Sequence, residues 1–157
     1  MKSKFQRFKQ GVFSPKNRGK FLNAEGLTVY RSKLEMQFMQ ICDSNPNIVE
    51  WSSEKVIIPY FNSVKQGNAR YFIDFYIKTS DGRKFLIEVK PDRQMKSAIN
   101  GVKNTLRKGV KRSTLLYESA MAQMNRDKWE AAKEWAKKKG MNFIVVTEKT
   151  LQYLQSI

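Results

Sequence analysis

The sequence predicts a mixed α/β domain, a mixed β-sheet flanked by helices and preceded by a basic N-terminal arm. An apolar helical repeat opens the body of the chain, and two apolar strand-like runs joined by a glycine-containing turn occupy its middle. Helix, strand and short helix then follow one another to the end. At 157 residues, 41% of them hydrophobic, the chain is long enough for one domain with a proper core and too short for two ordinary ones. The expected division is an arm over residues 1–29 and a single domain over 30–157.

Within the arm, Lys2, Lys4, Arg7, Lys9, Lys16, Arg18 and Lys20 outweigh the single Glu25, and Phe5, Phe8, Phe13 and Phe21 are interleaved. No period is sustained, which fits a tail solvated by its charges or an arm following phosphates with its aromatics anchored on the domain. From Ser32, apolar Leu34, Phe38 and Ile41 predict a helix over 32–43, stopped by Asp43-Ser44-Asn45-Pro46. Cys42 within it reads as a buried, inert thiol. The run IVEWSSEKVIIPYF predicts a strand near 54–60, VKQGN a turn over 64–68, and residues 70–78 and 83–90 a hairpin. Glu54 is either a supporting ligand or a polar residue at a strand entrance.

After Pro91 the chain turns basic again. Ile99, Val102 and Leu106 predict the apolar stripe of a helix, with Lys96, Lys103 and Arg107 on a neighbouring face that is either solvated or bound to phosphate. Trp129, Ala132 and Ala136 mark another helix, ending at Lys137-Lys138-Lys139-Gly140, where cations suit the C-terminus and glycine the position beyond it. Trp129 and Trp135 read as packing residues rather than a base-stacking platform. MNFIVVTE predicts a buried strand over 141–148, and TLQYLQSI a closing helix.

Thirty Lys and Arg against fourteen Asp and Glu give a formal charge of +16, which attracts polyanions, nucleic acid first among them. No apolar run of spanning length and no secretory segment is present, so a soluble, intracellular chain without a membrane partner is expected. The chain has no histidine. Histidine-ligated zinc and Ser/His or Cys/His catalysis are thereby excluded, and any hydrolysis must run on carboxylates and lysine with a hard cation such as Mg²⁺.

The hairpin FIDFYIKTSDGRKFLIEVKPD carries an acid inside each apolar run, Asp74 and Glu88, and strand parity puts Lys90 on the face of Glu88. A two-residue Asp81-Gly82 turn would set the acids on opposite faces. A three-residue Ser80-Asp81-Gly82 loop, with Gly82 left-handed, would pair Thr79 with Arg83 and set Asp74 opposite Glu88. Carboxylates so opposed, with Cβ atoms about 5 Å apart, repel unless a cation lies between them. Mg²⁺ takes one or two protein carboxylates and completes its shell with water and phosphate, so that register equips the chain for phosphodiester hydrolysis.

The residues YFIDFYI and LIEVKP, with RSKLE upstream, resemble the PD-(D/E)xK nuclease superfamily, whose restriction-endonuclease-like core carries an Asp and then Glu-x-Lys on the next strand. More narrowly, RSKLE, NPNIVEWSSEKVIIPYF, DGRKFLIEVKP and GMNFIVVTE resemble its TnsA-like endonuclease branch over most of residues 30–148. This resemblance implies metal-ligand roles for Asp74 and Glu88, a water-orienting role for Lys90 and a supporting carboxylate from Glu35. The Val89 carbonyl is expected as a further ligand, and Mg²⁺ or Mn²⁺ as the cofactor. Glu88 departs from the glutamine of the transposase subunit that names the branch and agrees with the wider superfamily. Ser32 and Glu35 also satisfy a helix-capping pattern, a competing use for that carboxylate.

DNA is the expected substrate, gripped by Lys16, Arg18, Lys20, Arg31, Arg93, Lys96, Lys103 and Arg107. Similarity to phage members of the branch implies a late role in head assembly, in the host cytoplasm or the virion, with head, portal or neck proteins as partners. Two other roles fit the same residues: a structural DNA-binding head or neck protein on a nuclease-like fold, and a junction-resolving nuclease. The sequence does not fix an oligomer.

Overall fold

The computed structural model describes residues 9–101 and 109–154. Short strands β1 (Gly11–Phe13) and β2 (Thr28–Tyr30) pair antiparallel and lead into helix α1 (Lys33–Ser44). Strands β3 (Ile48–Ser53), β4 (Ile57–Asn62), β5 (Gly67–Phe72), β6 (Phe75–Thr79) and β7 (Lys84–Val89) follow. Helices α2 (Asp92–Asn100) and α3 (Arg112–Lys138), strand β8 (Asn142–Val146) and the short α4 (Leu151–Leu154) complete the chain. The main sheet runs β3-β6-β7-β8, antiparallel except for the parallel β7–β8 pair, and β4–β5 form a separate hairpin.

Two apolar layers enclose that sheet. On one face Phe38, Met39, Ile41 and Cys42 of α1 pack with Trp51, Phe75, Ile77, Ile87, Val89 and Val146. On the other, Trp129, Ala132 and Ala136 of α3 pack with Leu86, Ala98 and the β4–β5 residues Ile58, Tyr60 and Tyr71. Side chains of opposite parity on β7 thus enter opposite layers. The expected fold class stands, and Cys42 and Trp129 are buried as anticipated.

The β6–β7 turn takes the three-residue form. Thr79 N–H donates to the Arg83 carbonyl at 2.9 Å, Gly82 has φ +86°, and the ladder pairs Phe75 with Ile87. A Cβ on Gly82 would meet nothing within 4 Å, so Gly82→Ala is opposed by backbone conformation alone. A stability loss of about 1 kcal/mol in urea unfolding is expected.

Several boundaries differ from the sequence expectation. The run 48–61, read as one strand near 54–60, holds two strands, β3 and β4, separated by a turn at Glu54, whose φ of 52° leads the chain from β3 toward the β4–β5 hairpin. The strand placed over 70–78 breaks at Ile73-Asp74, where Ile73 N–H still bonds the Val56 carbonyl of the hairpin while Phe75 joins the main sheet. Ile99 does not face the core: it is 67% exposed, and Ala98 and Met95 are the residues of α2 packed inward. Val102, Leu106, Lys103 and Arg107 lie outside the described residues, as do Lys2, Lys4, Phe5, Arg7 and Phe8.

Residues 11–29, expected within the arm, make contacts with the domain. Phe21 stacks on Trp51 with ring centroids 4.4 Å apart, and the N–H groups of Lys16 and Asn17 each donate to the Asp43 carboxylate at 2.9 Å. Their basic residues proved a poor guide because the interleaved aromatics decide where the segment goes.

Candidate active site

Asp74 and Glu88 enter the site from neighbouring strands. Continuing the observed register one step beyond Phe75–Ile87 sets Asp74 opposite Glu88, and both share the parity of Tyr76 and Leu86, whose side chains lie in the α3 layer. Val89 N–H would meet the Ile73 carbonyl in an uninterrupted ladder. Because the chain bends there, Asp74 Oδ2 accepts that N–H instead, at 2.9 Å, and the carboxylate is held where the ladder ends. Oδ1 accepts no hydrogen bond from any described residue.

Glu88 is 2% exposed and nevertheless charged-partnered. The Tyr71 hydroxyl donates to its Oε2, and the Lys90 ammonium lies 3.3 Å from its Oε1. Burial, then the Glu88 charge, pushes the Asp74 carboxyl well above the usual carboxylate range, against the pull of Val89 N–H and Lys90. The same burial, reinforced by Glu88, raises the Tyr71 phenol and keeps it a donor. The strain in the site is therefore electrostatic, two facing acids partly removed from water.

Glu35 makes its observed contacts at the start of α1. Its backbone N–H donates to Ser32 Oγ at 3.0 Å, capping α1, and its carboxylate accepts the Arg31 N–H at 2.8 Å. The capping reading describes those contacts. The apolar residues of α1 pack on the other face of the sheet from the acids, and the Glu35 charge nevertheless acts on Asp74, adding to the rise of its pKa. No group of three acidic, His or Cys side chains able to hold a metal occurs among the described residues. Val89 contributes its N–H to the Asp74 carboxylate. Glu54 forms an exposed ion pair with Arg31, and its N–H donates to the Asp74 carbonyl at 3.0 Å.

The donor set of Asp74 and Glu88 suits a hard divalent cation: both donors are carboxylates, Lys90 and Val89 N–H only partly offset what burial and their mutual repulsion do to Asp74, and among the described residues no third acid joins them, which leaves positions for water and phosphate.

Among the described residues, the predicted phosphate-gripping side chains differ in what they contact. Lys16, Arg18 and Arg93 are exposed. Lys20 is turned inward, its ammonium donating to the carbonyls of Asn45 at 2.8 Å and Ile48 at 3.0 Å, which commits it to backbone acceptors in place of phosphate. Arg31 is engaged by Glu54, and Lys96 shares Asp92 Oδ2 with Lys149, each at 3.0 Å. Two site residues escaped the sequence reading, Tyr71 and Lys128. The ammonium of Lys128, from α3, sits 5.5 Å from the centroid of the Tyr71 ring.

A mixed sheet between helices, with an acid at the start of one strand and Glu-x-Lys at the end of the next, defines a restriction-endonuclease-like fold. Residues 45–148 match the family described as TnsA-like endonuclease N terminal, and the chain belongs to that family. It is 34% identical over 144 residues to the head completion nuclease of Enterobacteria phage T4, an alignment covering 92% of this chain and 94% of that protein. Among the described residues, no helix is long and apolar enough to cross a membrane.

Proposed function

We propose that this chain is a Mg²⁺-dependent DNA endonuclease that processes DNA ends during phage head completion. The observation that carries the reading is the convergence of Asp74, Glu88 and Lys90 on one face of the sheet, with the lysine 3.3 Å from Glu88. Family membership supports the endonuclease assignment, and the T4 relative supports the place in head completion.

Asp74 and Glu88 would hold the cation, with Mn²⁺ as the alternative, and exposed cations that include Lys16, Arg18 and Arg93 would meet phosphates. When bound, such a cation polarises the phosphoryl oxygen and lowers the pKa of the attacking water. Val89 N–H and the Tyr71 hydroxyl fix the two carboxylates, so little reorganisation is required when substrate arrives. Lys90 orients the attacking water, whose proton passes to bulk solvent as its oxygen bonds to phosphorus. One P–O ester bond breaks, and the departing alkoxide takes up a proton from solvent. Head, portal or neck proteins are the expected partners in that setting.

Plasmid, linear and branched DNA incubated with the full chain, in Mg²⁺ or in EDTA, tests this. Wild type is expected to cleave in Mg²⁺ alone, and Lys90→Ala to cleave about 10²–10⁴-fold more slowly. Equal cleavage by Lys90→Ala and wild type would defeat the mechanism. Failure of wild type on every substrate would favour a structural DNA-binding role, and a strong preference for branches would favour junction resolution over end processing.

A further inference from the structure

Lys128 stands on α3, in the layer that Asp74 and Glu88 face. Half-buried, it lies over the ring of Tyr71, the same residue whose hydroxyl grips Glu88. Burial lowers its hold on a proton, the charges of Glu88 and Asp74 act in the opposite sense, and Lys90 and Lys65 add to the lowering. Lys128 is thus close enough to feel both acids and both neighbouring lysines. Yet its ammonium makes no hydrogen bond and no ion pair with any described residue, whereas Lys90 is paired with Glu88.

An ammonium has three donors and loses water on burial, so an arrangement of this kind is completed by an oxygen acceptor. The Tyr71 face supplies attraction of about 0.5–2 kcal/mol but no lone pair directed at an N–H. A divalent cation between the acids would be repelled by Lys128. An anionic ligand is attracted by Lys128, by Lys90 and by that cation together.

We propose that Lys128 is a substrate-binding residue, its ammonium donating to a non-bridging oxygen of the phosphodiester presented to Asp74 and Glu88. Helix α3 then forms one wall of the DNA cleft, opposite the strands that carry the acids. This rests on the nuclease reading for the identity of the anion, though the contact itself is tested by binding.

Binding of a short DNA duplex to the full chain is measured over a range of salt with Ca²⁺ in place of Mg²⁺, alongside Mg²⁺-dependent cleavage. The variants are Lys128→Met, which keeps the stem on Tyr71, Lys128→Arg, which keeps the charge, and Lys133→Gln at an exposed position of the same helix. Lys128→Met is expected to lower the slope of log affinity against log salt by about one and to slow cleavage about 10–100-fold. Lys128→Arg is expected to keep the wild-type slope, and Lys133→Gln to keep both slope and rate. A wild-type slope in Lys128→Met, or the same fall in Lys133→Gln, would overturn the contact. A lowered slope in Lys128→Met with a wild type that never cleaves would uphold it and remove the nuclease reading.

Discussion

Asp74→Asn is expected to reduce cleavage about 10³-fold or more, equivalent to about 4 kcal/mol of transition-state stabilisation, and to raise the melting temperature of the metal-free protein. Both effects have one cause. Asp74 is pushed above its ordinary pKa by burial and by Glu88, so the folded chain binds a proton there over a pH range in which the unfolded chain has released it. Stability therefore falls as pH rises through that window, and the full penalty is present above the folded-state pKa. Asparagine carries no such penalty and still offers an oxygen to Val89 N–H. The melting-temperature advantage of Asp74→Asn in EDTA should be widest at alkaline pH and close as pH falls toward the ordinary carboxylate range. Added Mg²⁺ should raise the melting temperature of wild type and leave that of Asp74→Asn unmoved. A variant less stable than wild type at pH 8 in EDTA would show that the two acids are not in conflict.

That conflict was legible in the sequence because it depends on periodicity and one turn. Alternation placed Glu88 and Lys90 together, and the Ser80-Asp81-Gly82 loop with a left-handed glycine selected the register that opposes Asp74 to Glu88. The contribution of Glu35 was not legible, since the capping pattern and a ligand role require the same residue types at the start of α1. Tyr71 gave no signal because a tyrosine in a strand is ordinary, and Lys128 gave none because one lysine among many on a long helix has no pattern. The division of one apolar run into β3 and β4 escaped for another reason: Ser52 and Ser53 do not look like strand residues, yet both are buried, and Asn23 brackets the Ser53 backbone from the N-terminal segment.

That N-terminal segment carries the second large expectation, since its charge suggests an appendage and its contacts are those of a core element. Phe21→Ala should lower unfolding free energy by about 3–5 kcal/mol, a large share of the roughly 5–15 kcal/mol that such a domain possesses. Phe21 is 8% exposed and forms with Trp51 an isolated parallel bridge at the outer edge of β3, the strand that ends the main sheet. Leu22 N–H donates to the Trp51 carbonyl at 2.9 Å, and Asn23 exchanges bonds of 2.8 and 2.9 Å with Ser53. Residues 21–23 thus satisfy an edge that would otherwise be open to other chains. Deleting residues 1–23 should accordingly expose Trp51 and the β3 edge together, giving a species that associates with itself as well as one that unfolds at lower urea. Urea midpoints with circular dichroism, and light scattering of the truncated chain, check both consequences. An unchanged midpoint for Phe21→Ala would return the segment to the status of an independent arm. Because Ser53 leads directly into Glu54, whose N–H holds the Asp74 carbonyl, loosening this edge should also impair the cleft, lowering cleavage before the fold is lost.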